Sequence, residues 1–185
     1  MSTVIGVCGY SGAGKTTFCQ EMARRFPLPV LSTGEVVRRR IAERGEALTP
    51  ENIARASDEI RQETGQRFVR VLAPDLIRSF GSSPAVLLDC LREESDLLAL
   101  RELSHRVALV AIAAADDVRA ARSRGRERPG DPISPAGLLA LNELERRLGV
   151  DRLIAGADYV IANDGDLGHF IARSAAVVGE ILAGA

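Results

Sequence analysis

Lysine is almost absent from this 185-residue chain. Of 24 basic residues one alone, Lys15, is lysine, and the rest are arginine. Cysteine is scarce as well. Cys8, Cys19 and Cys90 are odd in number and show no CxxC spacing, so neither a zinc ribbon nor a disulfide framework is expected, and the thiols read as reduced, in a cytoplasm. No apolar run approaches the roughly 18 residues of a membrane span. The start, MSTVIGVCGY, lacks a basic region, and Gly6 and Gly9 interrupt its apolar stretch, so it does not read as a signal peptide. A net charge of −1 argues against a nucleic-acid binder that works through bulk positive charge. His105 and His169 belong to no cluster. No membrane and no nucleic-acid partner is therefore expected, and oligomeric state is not legible.

What is present suits a single globular domain. Hydrophobic residues make up 46% of the chain, and mean hydropathy is near zero. A domain of this length buries about 70% of its unfolded surface. Thr3 to Cys8, Leu28 to Ser32, Ala85 to Asp89, Val107 to Ala113 and Tyr159 to Ala162 read as short buried strands. Helices are expected over Lys15 to Phe26, Gly34 to about Arg44, Arg92 to Leu103, Asp116 to Arg124, Pro135 to Leu148 and Leu167 to Leu182. Thr49-Pro50-Glu51-Asn52 looks like a helix cap with proline in first position. It opens a polar helical region that runs to Phe80 with a break near Gly65. Strands alternating with helices predict an α/β fold with a parallel sheet covered on both faces.

Gly9-Tyr10-Ser11-Gly12-Ala13-Gly14-Lys15-Thr16 satisfies G-x-x-x-x-G-K-[ST], between a strand and a helix as the phosphate loop requires. Glycines let backbone N–H groups converge on phosphate oxygens, and the next helix adds its free N–H groups and positive dipole end. Lys15 is expected to bridge the β- and γ-phosphates, Thr16 to ligate Mg²⁺, and Thr17 to lie beside them. The lone lysine in an arginine-rich chain suits a crowded phosphate site, where a compact point charge fits and a planar guanidinium does not. Asp89, at the end of the third strand, is a candidate second magnesium-side group; the alternative is a cap on the next helix. Arg92, three residues on, can reach an acceptor's phosphate or the group in transfer, or simply be solvated.

Ser32-Thr33-Gly34-Glu35-Val36-Val37-Arg38 resembles the S-T-G-[DE]-x-x-R acceptor segment of adenylate-kinase-like nucleoside monophosphate kinases. The resemblance implies that Thr33, Gly34 and Glu35 line an acceptor site and that Arg38 holds the acceptor's phosphate. Arg119, Arg122, Arg124, Arg126 and Arg128 crowd the segment where such a kinase carries its lid, with Arg122 and Arg126 taken as the two that act on the transferring phosphoryl. Ala157 to Leu167, ADYVIANDGDL, resembles the A-D-x-V-I-x-N-x-G-x-L segment of dephospho-CoA kinases. That resemblance implies Asn163 and Gly165 near an adenine, hence ATP over GTP; the alternative is an Asn-Asp-Gly turn.

The resemblance spans nearly the whole chain and is greatest to small archaeal-type nucleotide kinases. It implies a three-layer P-loop NTPase fold with core 1–33, 81–117 and 129–185, a helical acceptor-binding insertion at 34–80 and a short arginine-rich lid at 118–128. The implied activity is ATP- and Mg²⁺-dependent phosphoryl transfer to a small phosphate-bearing acceptor, a nucleoside monophosphate or similar nucleotide. Two departures stand out. Asp89-Cys90-Leu91-Arg92 replaces the D-G-F-P-R of adenylate kinases, and the D-A-D motif of dephospho-CoA kinases is missing. Three other readings stay open: a kinase of a non-nucleotide metabolite, a nucleotide hydrolase without acceptor (no N-K-x-D guanine motif is present), and a silent nucleotide-binding protein.

Overall fold

The computed structural model describes residues 3–104, 106–125 and 135–184. In chain order the elements are β1 (Thr3–Cys8), α1 (Lys15–Arg25), β2 (Val30–Ser32), α2 (Thr33–Glu43), α3 (Pro50–Glu63), a 3₁₀ turn (Phe68–Leu72), α4 (Ala73–Phe80), β3 (Ala85–Leu91), α5 (Glu94–Leu103), β4 (Arg106–Ala113), α6 (Asp116–Arg124), α7 (Pro135–Leu148), α8 (Val150–Ala155), β5 (Tyr159–Ala162) and α9 (Leu167–Ala183). The five strands form one sheet in the order β2-β3-β1-β4-β5, with every pairing parallel.

β1 is central and wholly buried, as its mostly apolar sequence suits in a parallel strand covered on both faces. Strand alternation divides its side chains between two cores. Val4 and Cys8 join Val86, Leu88 and Leu109 under α2, α3, α4 and α5, while Ile5 and Val7 join Leu87, Val110 and Ile112 under α1 and α9. Each fully buried Leu, Ile or Phe side chain contributes roughly 1.5–3 kcal/mol, so these two layers dominate the stability of the fold.

Most boundaries agree with the sequence pattern. Thr49 caps α3, its Oγ1 accepting from Asn52 N at 3.2 Å, and Pro50 opens that helix. Four details differ. The stretch 45–80 breaks at Gly65, as expected, but it is not uniformly polar, because Phe68, Val69, Leu72 and Leu76 are buried in the same core as β3. α8 was not expected; it follows Gly149, whose φ of 98° ends α7. β3 does not stop at Asp89 but runs on to Leu91 through a bulge: Val7 pairs with Asp89 and Cys8 with Leu91, skipping Cys90. α5 consequently begins at Glu94 and not Arg92, so Asp89 caps no helix.

Candidate functional site

The carboxyl ends of β1, β2 and β3 open into a cleft of about 230 Å³. Crevices at the carboxyl edge of an open parallel sheet are where such folds bind ligands. One wall is the loop between β1 and α1, and the opposite wall is built from α2, α3 and the start of α5.

The loop's shape depends on missing side chains. Gly9 has φ 136°, and a Cβ there would lie 2.3 Å from Ile112 O, a backbone atom that cannot yield. Gly14 has φ 108°, and its Cβ would meet Asn163 Nδ2 at 2.3 Å. Glycine alone satisfies both the conformation and the approach. Lys15 is buried, and its Nζ donates to Gly9 O at 2.7 Å and Tyr10 O at 3.0 Å. The loop's own carbonyls thus hold the ammonium at the mouth of the cleft. Thr16 Oγ1 donates to Asp89 Oδ2 at 2.9 Å. Asp89 Oδ1 is buried and has no hydrogen-bond partner among the described residues. A hydroxyl beside an orphaned carboxylate oxygen suits a hard divalent cation, which takes oxygen ligands and keeps several waters. No cluster of three or more His, Cys, Asp or Glu side chains that could hold a metal occurs among the described residues.

Ser11, Gly12, Gly14, Lys15 and Thr16 all line the cleft. Ala13 is buried behind it, where its carbonyl accepts from Asn163 Nδ2 at 2.7 Å. Thr17 is half-buried in the first turn of α1 and lies outside the lining. From the acceptor-like segment, Thr33, Gly34 and Arg38 line the cleft, with Thr33 Oγ1 donating to Cys90 O at 3.0 Å. Glu35 is exposed and bonded to Arg38 Nε at 3.2 Å; it lies on a neighbouring cleft that shares Thr16, Ser32, Arg38 and Asp89.

Arg92 reaches the cleft through the β3 bulge, where Cys90 adopts a φ of 78°. Such a conformation in a non-glycine residue costs on the order of 1–3 kcal/mol and is typical of ligand sites. Arg92 Nε donates to Cys90 Sγ at 3.1 Å. The Cys90 sulfur, with Glu145 and Asp89 adding in the same sense, raises the Arg92 guanidinium above its ordinary pKa.

Arg122 Nη2 donates to Asn163 Oδ1 at 3.3 Å, and Arg122 Nη1 is buried without a partner among the described residues. Asn163 is buried and braces the back of the loop, while Gly165 is exposed with open space around it. Neither Asn163 nor Gly165 lines the cleft. Arg126 and Arg128 lie outside the described residues.

Several lining residues escaped the sequence reading. Arg61, from α3, bonds Glu93 Oε1 at 2.7 Å and stands 5.8 Å from the Phe68 ring, and both face the cleft with Asp96. Asp96 accepts from Val69 N at 2.8 Å, and burial, with Glu93 adding to it, pushes its carboxyl up to about 6. Two further residues hold the loop itself. Arg119 is no solvent-facing lid group; it is 2% exposed and donates to Ser11 O. Glu145 is 0% exposed and accepts from Ser11 N and Oγ. A signal for Glu145 existed: Leu138, Asn142 and Glu145 fall at i, i+4 and i+7, the inward stripe of a helix, and all three are buried.

Comparison with known proteins agrees with this geometry. A family model described as an AAA domain matches residues 8–136, more than half of the chain. A UPF0200 protein of Thermococcus onnurineus is 33% identical over 183 residues, covering 97% of this chain and 98% of the relative. Among solved structures, TT1252 from Thermus thermophilus superposes with a TM-score of 0.65 at 20% identity, with 97% of each chain covered. A shikimate kinase from Bacteroides thetaiotaomicron gives 0.59 at 19% identity, with 98% of each covered. These two likenesses establish the three-layer P-loop fold. With an AAA-domain match over most of its length and a relative one-third identical almost from end to end, the chain belongs to the UPF0200 family, and its fold is that of the P-loop kinases it superposes on.

Proposed function

We propose that the protein is a kinase that transfers the γ-phosphoryl group of ATP to a small phosphate-bearing acceptor, with a nucleoside monophosphate as the preferred class. One observation carries this reading. The phosphate loop and three arginines, Arg38, Arg61 and Arg92, line the same cleft, with Thr16 and Asp89 between them. A hydrolase that uses only water has no need of a second anion-binding wall.

In the proposed reaction Lys15 exchanges the Gly9 and Tyr10 carbonyls for β- and γ-phosphate oxygens, and the loop N–H groups cradle the rest of the chain of phosphates. Thr16 and Asp89 would hold magnesium, which when bound neutralises charge on the phosphate oxygens. Arg38, with Thr33 and Gly34 beside it, holds the acceptor's phosphate, and the apolar side chains of Val37, Ile53 and Phe68 offer a wall for a ring. An acceptor phosphate oxygen forms the new P–O bond as the bond to the β-phosphate oxygen breaks and ADP leaves. Arg92, which lines the cleft, stabilises the charge spread over the transferring group, whereas Arg122 lies outside that lining, bonded to Asn163. No covalent enzyme intermediate is needed, because positioning and electrostatics supply the catalysis.

A second reading keeps the donor site and changes the acceptor. The same arginines suit any small anionic metabolite with a nucleophilic oxygen. Incubation with Mg·ATP and a panel of nucleoside monophosphates, dephospho-CoA, shikimate and sugar acids, followed by product detection, separates the two. ATP hydrolysis at one rate with every acceptor and with none would refute both.

A further inference from the structure

Three polar groups of Ser11, the third residue of the phosphate loop, are held by the helices that follow β4. Ser11 N donates to Glu145 Oε2 at 2.8 Å, and Ser11 Oγ donates to Glu145 Oε1 at 2.7 Å. Ser11 O accepts from Arg119 Nη1 at 2.9 Å, and the same nitrogen donates to Asn142 Oδ1 at 2.9 Å. α6 and α7 therefore grip one residue of the loop through its whole polar inventory.

Glu145 is the unusual member of this set. It is 0% exposed, yet it forms none of the ion pairs seen among the described residues. A buried carboxylate is costly unless its oxygens are satisfied, and here a loop amide and a hydroxyl satisfy them. That amide is the kind of donor a phosphate loop offers to an anion. Ser11 also lines the cleft beside Gly12, Gly14 and Lys15, so a nucleotide's phosphates seated on that wall lie close to the carboxylate. Its charge already acts on Arg92 on the opposite side.

We infer that Glu145 is a positioning residue of the phosphate loop, and that its negative charge sets how strongly the loop takes a nucleoside triphosphate relative to a diphosphate. The inference rests on the nucleotide-binding reading of the loop. The two hydrogen bonds fix Ser11 and hence the loop's path. The charge opposes the added terminal phosphate, while Lys15 and Arg92 offset it. Glutamine preserves the shape, since its amide oxygen accepts from Ser11 N and its amino group donates to Ser11 Oγ. Only the charge is lost.

The test is equilibrium titration of wild type and Glu145→Gln with Mg·ATP and Mg·ADP, without acceptor, alongside a thermal unfolding curve. At an effective dielectric near 20, a unit charge about 10 Å from the added phosphate changes affinity by roughly tenfold. The ratio of ATP to ADP affinity should therefore rise about tenfold in E145Q, with ATP bound more tightly than by wild type. A brace without an electrostatic role leaves that ratio unchanged or weakens both nucleotides equally, and either result overturns the inference. Should E145Q fail to fold, Ser11→Ala is titrated instead: it keeps the Glu145 charge and the bonds to Ser11 N and Ser11 O and loses only the hydroxyl bond, so the wild-type ratio of ATP to ADP affinity should be retained, and a changed ratio overturns the inference. Failure of wild type to bind either nucleotide would instead sink the nucleotide reading itself.

Discussion

Thr16 Oγ1 donates to Asp89 Oδ2 across 2.9 Å, tying the first turn of α1 to the bulged end of β3. The pair brings a hydroxyl and a carboxylate together where the phosphate loop meets the far wall of the cleft. Asp89→Asn keeps the size and the oxygen that accepts from Thr16 but removes the charge. Turnover should fall by about 10²–10³-fold, the usual loss when one group aimed at transition-state charge is removed. The magnesium concentration for half-maximal rate should rise, and the unfolding midpoint should hold, because a buried charge has been removed and no cavity made. A wild-type rate at low magnesium would remove Asp89 from the site.

Gly9 bears on stability as well as on binding. Its φ of 136° and the 2.3 Å approach of a built Cβ to Ile112 O leave no room for alanine. Gly9→Ala should destabilise the fold by about 2–3 kcal/mol, the range for a residue forced into a disallowed conformation with a backbone clash. Chemical denaturation measures this directly. An unchanged midpoint would mean that the loop does not run against β4 as described.

The Asp96 carboxyl yields a pH prediction whose sign is fixed by its burial. Its folded pKa, about 6, lies above the ordinary value of 3.8. Between these values the folded state holds more protons than the unfolded state, so stability falls as pH rises from about 4 to 6 and levels off above. The contribution of this single group over the window is roughly 3 kcal/mol. Asp96→Asn still offers an oxygen to Val69 N and should flatten that part of the stability profile. The two profiles should converge near pH 4 and diverge toward pH 7, with D96N the more stable. Parallel profiles would show that Asp96 is not the titrating group.

Much of this fold was legible from pattern alone, and the failures have physical causes. β1, α6, α7 and β5 follow from apolar runs and helical spacing between glycine and proline breaks. Pro50 behind Thr49 marked the start of α3 because a proline at that position loses no helical hydrogen bond. The continuation of β3 to Leu91 was not legible, since Cys90 carries no signal for the left-handed backbone that the bulge requires. The phosphate loop was legible because its spacing is dictated by backbone approach to phosphate. The grip on that loop was not, because it is tertiary. Arg119 sits among arginines that read as a lid, and although helical spacing puts Glu145 on the inward stripe of α7, only the fold brings either of them to Ser11. Asn163 is instructive in the other sense: its segment stood out in the sequence, but its amide braces Ala13 and Arg122 behind the loop.

The central claim, that Lys15 serves phosphoryl transfer from ATP to an acceptor, is tested most directly by one comparison. Wild type and Lys15→Met are each incubated with Mg·ATP and a panel of nucleoside monophosphates, and phosphorylated acceptor is quantified against ADP formed. Wild type should produce the two in equal amounts with at least one acceptor. Lys15→Met should produce neither while unfolding at a comparable temperature. Equal turnover by the two proteins, or ADP formed by wild type without any phosphorylated acceptor, would contradict the claim.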